Sequence, residues 1–483
     1  QFEATLGQQR ARRFGVVGRV LEAFRPAEDR RGHELRGGGA SPLRAKGIVL
    51  LVHGRGATAE SMLPLGEVIA MPDLCYLAPQ AEGYTWYPQS FMAPTAANEP
   101  ILSRALGIPA VAGVGTLLDR QPGGALTGIN GSTGEVWLEP SPEVQESLAK
   151  SRAEWLAGRE KLLKTSQQLA TTQDGHRVEV FANIGGLHDA RAAVQNGAEG
   201  VGLLRTEFLF LTRETAPSEE EQYLLLHDIF ETMGGKRPVT TRTLDVGGDK
   251  ELPYIQMPDE PNPFLGVRAL RLSFARPDLF MAQLRAILRA ADGLPCRIMF
   301  PMVADVEEVR KARSLVEKAH EELSAENQPH AWPVELGIMV EIPSAALLSP
   351  VLAEEVDFFS IGTNDLTQYT LAAERGNPAL AHLADGLHPA VLKLIHDVVV
   401  ASHQAGKWTG ICGELGGDPE ATAILVGLGV DELSLNPAGI PQIKSIIRSL
   451  TLESARDLAS QALKCKTSAE VRGLVRELKN PNK

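Results

Sequence analysis

Cysteine is scarce in this chain: four thiols, Cys75, Cys296, Cys412 and Cys465, are spread over 483 residues. That spacing excludes a disulfide framework and a CxxC-type zinc cluster, and points to a reducing compartment, so a cytoplasmic protein is expected. No apolar run approaches the ~20 residues that cross a bilayer. The N-terminal FGVVGRVLEAF is interrupted by Arg19 and Glu22 and does not make a signal-peptide core, so no membrane partner is expected. Positive charge is also in deficit. With 48 Lys and Arg against 60 Asp and Glu, the net charge is −12, which argues against a nucleic-acid binder in need of a basic face. What remains, 43% apolar and 22% charged, is the composition of a soluble globular chain. Its length suits roughly three domains of ~150 residues.

The organisation changes along the chain. Residues 1–45 form a basic leader with a GGGASP run at Gly37 to Pro42, and a weakly ordered segment is expected there. Ten basic and five acidic residues within 1–46 leave −17 for the rest. At 46–100, GIVLLVHGRG reads as a buried parallel strand, followed by a helical stretch and a second strand at Leu74 to Ala78, a β-α-β start. Residues 101–140 read as helix, strand, Gly-rich turn, strand and a Pro-bounded exit, with NGSTG (Asn130 to Gly134) as the hairpin turn. From Ser141 to about Leu169 an unbroken helical pattern suggests a connecting helix within a 141–175 linker.

Beyond Arg177 the pattern becomes regular. Short apolar or β-branched segments recur at 178–185, 200–206, 239–246, 296–303, 335–342, 358–364, 407–413 and 432–436, separated by helix-patterned stretches such as 305–323. Eight strands alternating with helices, connected by crossovers long enough to hold a helix, predict an α/β fold: a (β/α)8 TIM barrel over 176–455, followed by a helical tail at 456–483.

In such a barrel the reactive groups stand at the C-terminal ends of the strands. Those ends carry Arg205 with Glu207 beyond it, Arg242, and Lys250 after LDVGGDK. They also carry Arg268 and Arg271 in NPFLGVRALR, then Glu341, Asn364 and Asp365, Arg375, and Cys412. Two carboxylates suit a hard divalent cation that takes its remaining oxygens from water and substrate. Several guanidinium forks suit a multiply charged phosphate. A thiol adds proton transfer or nucleophilic attack. Each residue alone has a bland alternative: an arginine paired with an acid, a glutamate beside a helix start, a cysteine as a small buried apolar group. Core packing does not require five strands to deliver polar groups to one end. The residues alone therefore suggest a Mg²⁺-dependent enzyme acting on a small phosphorylated anion.

The run VDFFSIGTNDLTQYTLAAERGNPAL, with GLLRTEFLF, RTLDVGGDK, NPFLGVRALR, MVEIPSA and GICGELGGDP in the same order, resembles the phosphoenolpyruvate-utilising enzymes over about 176–450. The match is most like the Enzyme I branch of the sugar phosphotransferase system. The resemblance implies that Arg205, Arg242 and Arg375 hold the phosphoryl group with Lys250 and Arg268 nearby, and that Asn364 helps hold the substrate. It implies that Glu341 and Asp365 bind Mg²⁺, with Mn²⁺ as a substitute. Cys412 would protonate the enolate carbon of phosphoenolpyruvate to give pyruvate. It also implies a homodimer formed through the barrel.

The resemblance breaks upstream. ILSRALGIPAVAGV and GINGSTGEVWLEP look like part of the swivelling phosphohistidine domain, so 101–140 reads as a truncated copy. Asn98, in AANEP, stands where that family's acceptor histidine would be. No counterpart of the helical domain that docks the phosphocarrier protein is seen. Residues 46–100, with HGRG around His53, resemble the opening of a phospholipase/carboxylesterase-type α/β-hydrolase without its G-x-S-x-G elbow. The expectation is a fusion whose barrel is of phosphotransferase type but lacks its phospho-acceptor histidine. An ester hydrolase using Cys412 or Ser132 is the alternative, and a non-catalytic ligand-binding barrel is the third reading.

Overall fold

The structure is a computed structural model. It describes residues 36–39, 47–50 and 74–78, and residues 126–479 apart from 131–133, 212, 248–251, 253, 256–259, 375–376, 378–379 and 381. The chain divides into two compact units, 1–91 with 100–102 and 92–99 with 103–483.

The first unit contains a three-stranded sheet in the order β1-β3-β2. β2 (Gly47–Leu50) runs parallel to β3 (Leu74–Ala78), the pairing a β-α-β start requires. β1 (Arg36–Gly39) pairs antiparallel with β3, so the leader read as weakly ordered contributes a strand. Charge and glycine content describe side chains, whereas adding a strand needs only backbone N–H and C=O groups. The expected hydrolase-like turn at His53, Asn98 and the helical stretch between β2 and β3 lie outside the described residues.

In the second unit β4 (Thr127–Asn130) and β5 (Glu135–Leu138) form an antiparallel hairpin, as expected for NGSTG; Ser132 at its tip lies outside the described residues. A helix follows at Pro142–Lys164, started by the Ser141 hydroxyl accepting from the Val144 N–H at 3.4 Å, with proline in its first turn. Glu143 opens it and Lys161 and Lys164 close it, matching the helix dipole, and none of its side chains is buried.

Eight parallel strands then close into a barrel: β6 (Glu179–Ile184), β7 (Val201–Arg205), β8 (Val239–Arg242), β9 (Cys296–Phe300), β10 (Glu335–Val340), β11 (Phe358–Ile361), β12 (Trp408–Ile411) and β13 (Glu432–Leu435). β13 pairs with β6, which completes the ring. Every strand falls inside the segment predicted for it. Helices between strands cover the outside and bury one continuous apolar layer against the sheet. The predicted 305–323 helix runs Val306–Ala325, capped by the Asp305 carboxylate on the Glu308 N–H at 3.0 Å.

Inside the ring, Leu203, Met299, Met339, Phe358 and Cys412 make a separate apolar layer. Below it, at the N-terminal strand ends, Phe358 stacks on Trp408 with centroids 4.6 Å apart and Arg297 lies over the Trp408 ring at 4.5 Å. Gly337 makes room for this floor, since a Cβ there would stand 2.5 Å from the Phe358 ring. Glu432 is buried beside these groups, 3.7 Å from Arg297. These groups fill the N-terminal end of the interior.

The segment after the barrel folds back onto it. Helices Ile440–Ser449, Leu452–Ala462 and Ser468–Lys479 follow, and Val471 and Val475 of the last are buried. No described helix is long and apolar enough to cross a membrane.

Candidate active site

Parallel strands all end on the same face, so the register of the barrel decides which side chains meet. Arg205 and Arg242 are the last residues of β7 and β8 and sit side by side in the ladder. Glu341 and Cys412 directly follow β10 and β12, and Asn364 and Asp365 occupy the first turn of the helix Thr363–Leu371 after β11. The structure thus brings Arg205, Arg242, Arg268, Glu341, Asn364, Asp365 and Cys412 to one mouth. Lys250 and Arg375 lie outside the described residues.

The cations are held by a buried relay of acids. Arg242 pairs with Glu207 and, at 3.1 Å, with Asp245. The Asp245 carboxylate also takes a fork from Arg268, with Nη2 at 2.9 and 3.1 Å from its two oxygens. Arg268 reaches on to Asp365 at 3.4 Å and to the Tyr369 hydroxyl at 3.3 Å. Burial works against the charge on both arginines, but the acids outweigh it and hold Arg242 and Arg268 above the ordinary guanidinium range. Gly247 lets this relay form: its φ of +114° suits glycine, and a Cβ would meet that of Arg268 at 2.5 Å. Beneath it, buried Gln283 braces both strand ends, accepting from the Leu244 N–H at 2.9 Å and donating to the Thr206 hydroxyl at 3.1 Å.

Arg205 differs from its neighbours. It has no hydrogen-bond or ion-pair partner among the described residues, and burial together with the adjacent Arg242 weakens its hold on its proton. Two guanidinium groups side by side, one of them unpartnered, form a site for an anion.

The acids face the opposite problem. Burial, then the nearby Asp365 and Asp245 carboxylates, push the Glu341 carboxyl well above its usual range. One Glu341 oxygen accepts the Met302 N–H at 2.7 Å, from a backbone held at the strained φ of +55°. Carboxylate oxygens crowded without enough positive charge suit a hard divalent cation. The described residues contain no ready-made cage of three or more His, Cys, Asp or Glu ligands. Glu341 and Asp365 would therefore supply two oxygens, the remainder coming from substrate and water.

Burial pushes the Cys412 thiol up to about 12, so at neutral pH it keeps its proton. Its Sγ lies 3.6 Å from the Ile361 carbonyl oxygen, to which it donates. Asn183 on β6 donates to the Cys412 carbonyl at 2.9 Å and fixes the backbone. Asn364 accepts the Glu414 N–H at 2.9 Å, tying the start of its helix to the segment after Cys412.

Sequence reasoning missed Asp245, Tyr369 and Asn183. Asp245 stands inside the LDVGGDK run but reads there as a turn residue; the others carry no local signal.

Fold and site together define a closed eight-stranded parallel barrel whose C-terminal mouth gathers arginines, a pair of carboxylates and a buried, protonated thiol. Residues 159–452 match the family model described as "PEP-utilising enzyme, PEP-binding domain", and the chain belongs to that family. It is similar to the phosphoenolpyruvate-protein phosphotransferase of Staphylococcus carnosus, 46% identical over 380 residues, covering 79% of this chain and 66% of that protein. The Haemophilus influenzae protein of the same name is 45% identical over 377 residues, 78% of this chain and 65% of the relative. The multiphosphoryl transfer protein of Rhodobacter capsulatus is 46% identical over 445 residues, 90% of this chain and 52% of the relative. The chain spans about half to two thirds of the length of these curated relatives. None of the three favours the ester-hydrolase alternative.

Proposed function

We propose that the barrel binds phosphoenolpyruvate with a divalent cation and performs the pyruvate-forming half of a phosphotransferase reaction. The unpartnered Arg205 beside Arg242 carries this reading: it is a cation pair awaiting a multiply charged anion at the mouth of a family barrel. Arg205, Arg242 and Arg268 hold the phosphoryl and carboxylate oxygens, and Lys250 and Arg375 complete the set by resemblance. Asn364 helps to orient the substrate. Glu341 and Asp365 hold the ion, Mg²⁺ or Mn²⁺, which when bound supplies charge neutralisation at the phosphoryl and enol oxygens. As the bridging P–O bond breaks, its electron pair stays on the enol oxygen. That oxygen becomes the carbonyl while the C=C pair takes the Cys412 proton at C3. The phosphoryl group passes to an acceptor nucleophile. An amide at Asn98 cannot serve as that nucleophile, so an imidazole on another protein, or water, receives it.

Pyruvate release from phosphoenolpyruvate tests the reading. Wild type should release pyruvate only with Mg²⁺ or Mn²⁺, and chelation should abolish release. Cys412→Ala should slow release by about a hundredfold or more while retaining substrate binding. Binding without turnover in wild type would leave only a ligand-binding barrel, and undiminished release in Cys412→Ala would remove the acid. A stable phosphohistidine on the chain would overturn the role given to Asn98.

Exposed Leu347, Leu348 and Val351, on short helices after β10, support a homodimer formed through the barrel. Cys296, Cys412 and Cys465 are unpaired, in keeping with the cytoplasm.

A further inference from the structure

The last helix, Ser468–Lys479, reaches the catalytic face of the barrel chiefly through Arg472. Arg472 places Nε and Nη2 on the two Asp385 oxygens at 2.8 and 2.9 Å. Its Nη1 lies 2.7 Å from Glu420 and 3.3 Å from Asp418. Arg476 adds a second contact to Glu420 at 3.2 Å. Asp385 belongs to the connection that follows β11 and ends at the Pro389 helix start; Asp418 and Glu420 belong to the connection that follows β12, which opens with Cys412. Two loops from neighbouring strands thus share one guanidinium.

We propose that Arg472 is a positioning residue: the C-terminal helix is a strap that fixes the Cys412 loop against the loop after β11. The Cys412 loop is pinned at two points. Asn364 holds its inner end through the Glu414 N–H, and Arg472 holds its outer end through Asp418 and Glu420. Buried Val471 and Val475 anchor the strap itself, so the guanidinium is delivered from a fixed backbone. Burial alone would raise the Asp385 carboxyl; the Arg472 fork and the Leu387 N–H outweigh it and lower it. A half-buried fork on three carboxylates is far better determined than an exposed ion pair. Losing the outer pin lets the loop swing about the inner one and moves the thiol relative to bound substrate.

The catalytic consequence rests on the pyruvate-forming reading above; the mechanical one does not. Hydrogen exchange on the full chain without ligand tests the strap directly. Arg472→Ala should speed amide exchange about tenfold in 382–388 and 412–421 and leave β6 to β8 unchanged. Asp385→Asn should loosen 382–388 while 412–421 stays protected, because Glu420 and Asp418 still hold the guanidinium. Arg472→Lys, keeping charge but not the fork, should fall between. In pyruvate release, Arg472→Ala should lower kcat about tenfold with phosphoenolpyruvate affinity within about threefold, since proton delivery and not binding is disturbed. Unchanged exchange in both loops overturns the strap whatever the activity. Faster exchange in a protein that forms no pyruvate supports the strap and removes the catalytic reading alone.

Discussion

Replacing Glu432 with glutamine should stabilise the barrel at pH 8 and change it little at pH 5. Glu432 begins β13 inside the floor of the ring and is buried; its Oε2 has no hydrogen-bond partner among the described residues. Arg297 stands 3.7 Å away but also pairs with Glu335 at 2.7 Å. Burial, with Glu179 and Asp431 adding like charge and Arg297 opposing them, raises the Glu432 carboxyl to about 8. A raised folded value sets the sign. Below the ordinary 4.5 the carboxyl is protonated folded and unfolded, and contributes nothing. Between 4.5 and about 8 the unfolded chain has released a proton that the folded chain keeps, so stability falls as pH rises; above 8 it levels off. Between pH 5 and pH 8 the loss is on the order of 3 kcal/mol at 1.36 kcal/mol per pH unit. A glutamine removes that slope, so the variant should gain about 3 kcal/mol on wild type over this range, or roughly 5 °C in Tm for a barrel of this size. Thermal unfolding of both proteins at half-unit pH steps measures the difference, and other titrating groups cancel. A difference that stays flat from pH 5 to pH 8 would mean that Glu432 is ionised throughout and paired with Arg297, and the reasoning would fail.

Two other outcomes follow from the mouth and the surface. Asp245→Asn removes the charge shared by Arg242 and Arg268. Because Glu207 and Asp365 still partner them, the cost should lie near the low end for a broken buried pair, about 3 kcal/mol, read as a fall in Tm of several degrees; an unchanged Tm would show that Asp245 is not the relay. Leu347→Asp, at a leucine that is 69% exposed, should convert a barrel-mediated dimer to monomer in sedimentation at micromolar concentration without lowering Tm; an unaltered dimer would place the interface elsewhere.

Much of the barrel is visible in the sequence for a physical reason. Parallel strands buried on both faces are short apolar runs bounded by turn residues, so CRIMFPMV and ELGIMVEI mark β9 and β10 before any coordinates exist. The rule that reactive groups stand at strand ends then places Arg205, Arg242, Glu341 and Cys412. The floor is not legible in the same way. Arg297, Trp408 and Glu432 come from three different strands, and the register and the glycine at 337 bring them together. Asp245 is hidden for a related reason: its partners Arg242 and Arg268 lie on opposite sides of a long connection. The leader shows a different limit, since β1 is held by backbone pairing that composition does not record.

Cys412 shows where sequence and structure divide the work. From the chain alone the thiol fits a nucleophile, an acid or a small apolar side chain, because all three occur at barrel strand ends. Its position after β12 follows from the sequence, but its proton affinity follows from what surrounds it. Leu203, Met299, Met339 and Phe358 make that surrounding apolar, and each comes from a different strand. Arg242, which would favour a thiolate, is already committed to Glu207 and Asp245. Burial therefore prevails and the sulfur keeps its proton. A kept proton is what the proposed pyruvate-forming step needs, and it disfavours a thiolate nucleophile of the esterase kind.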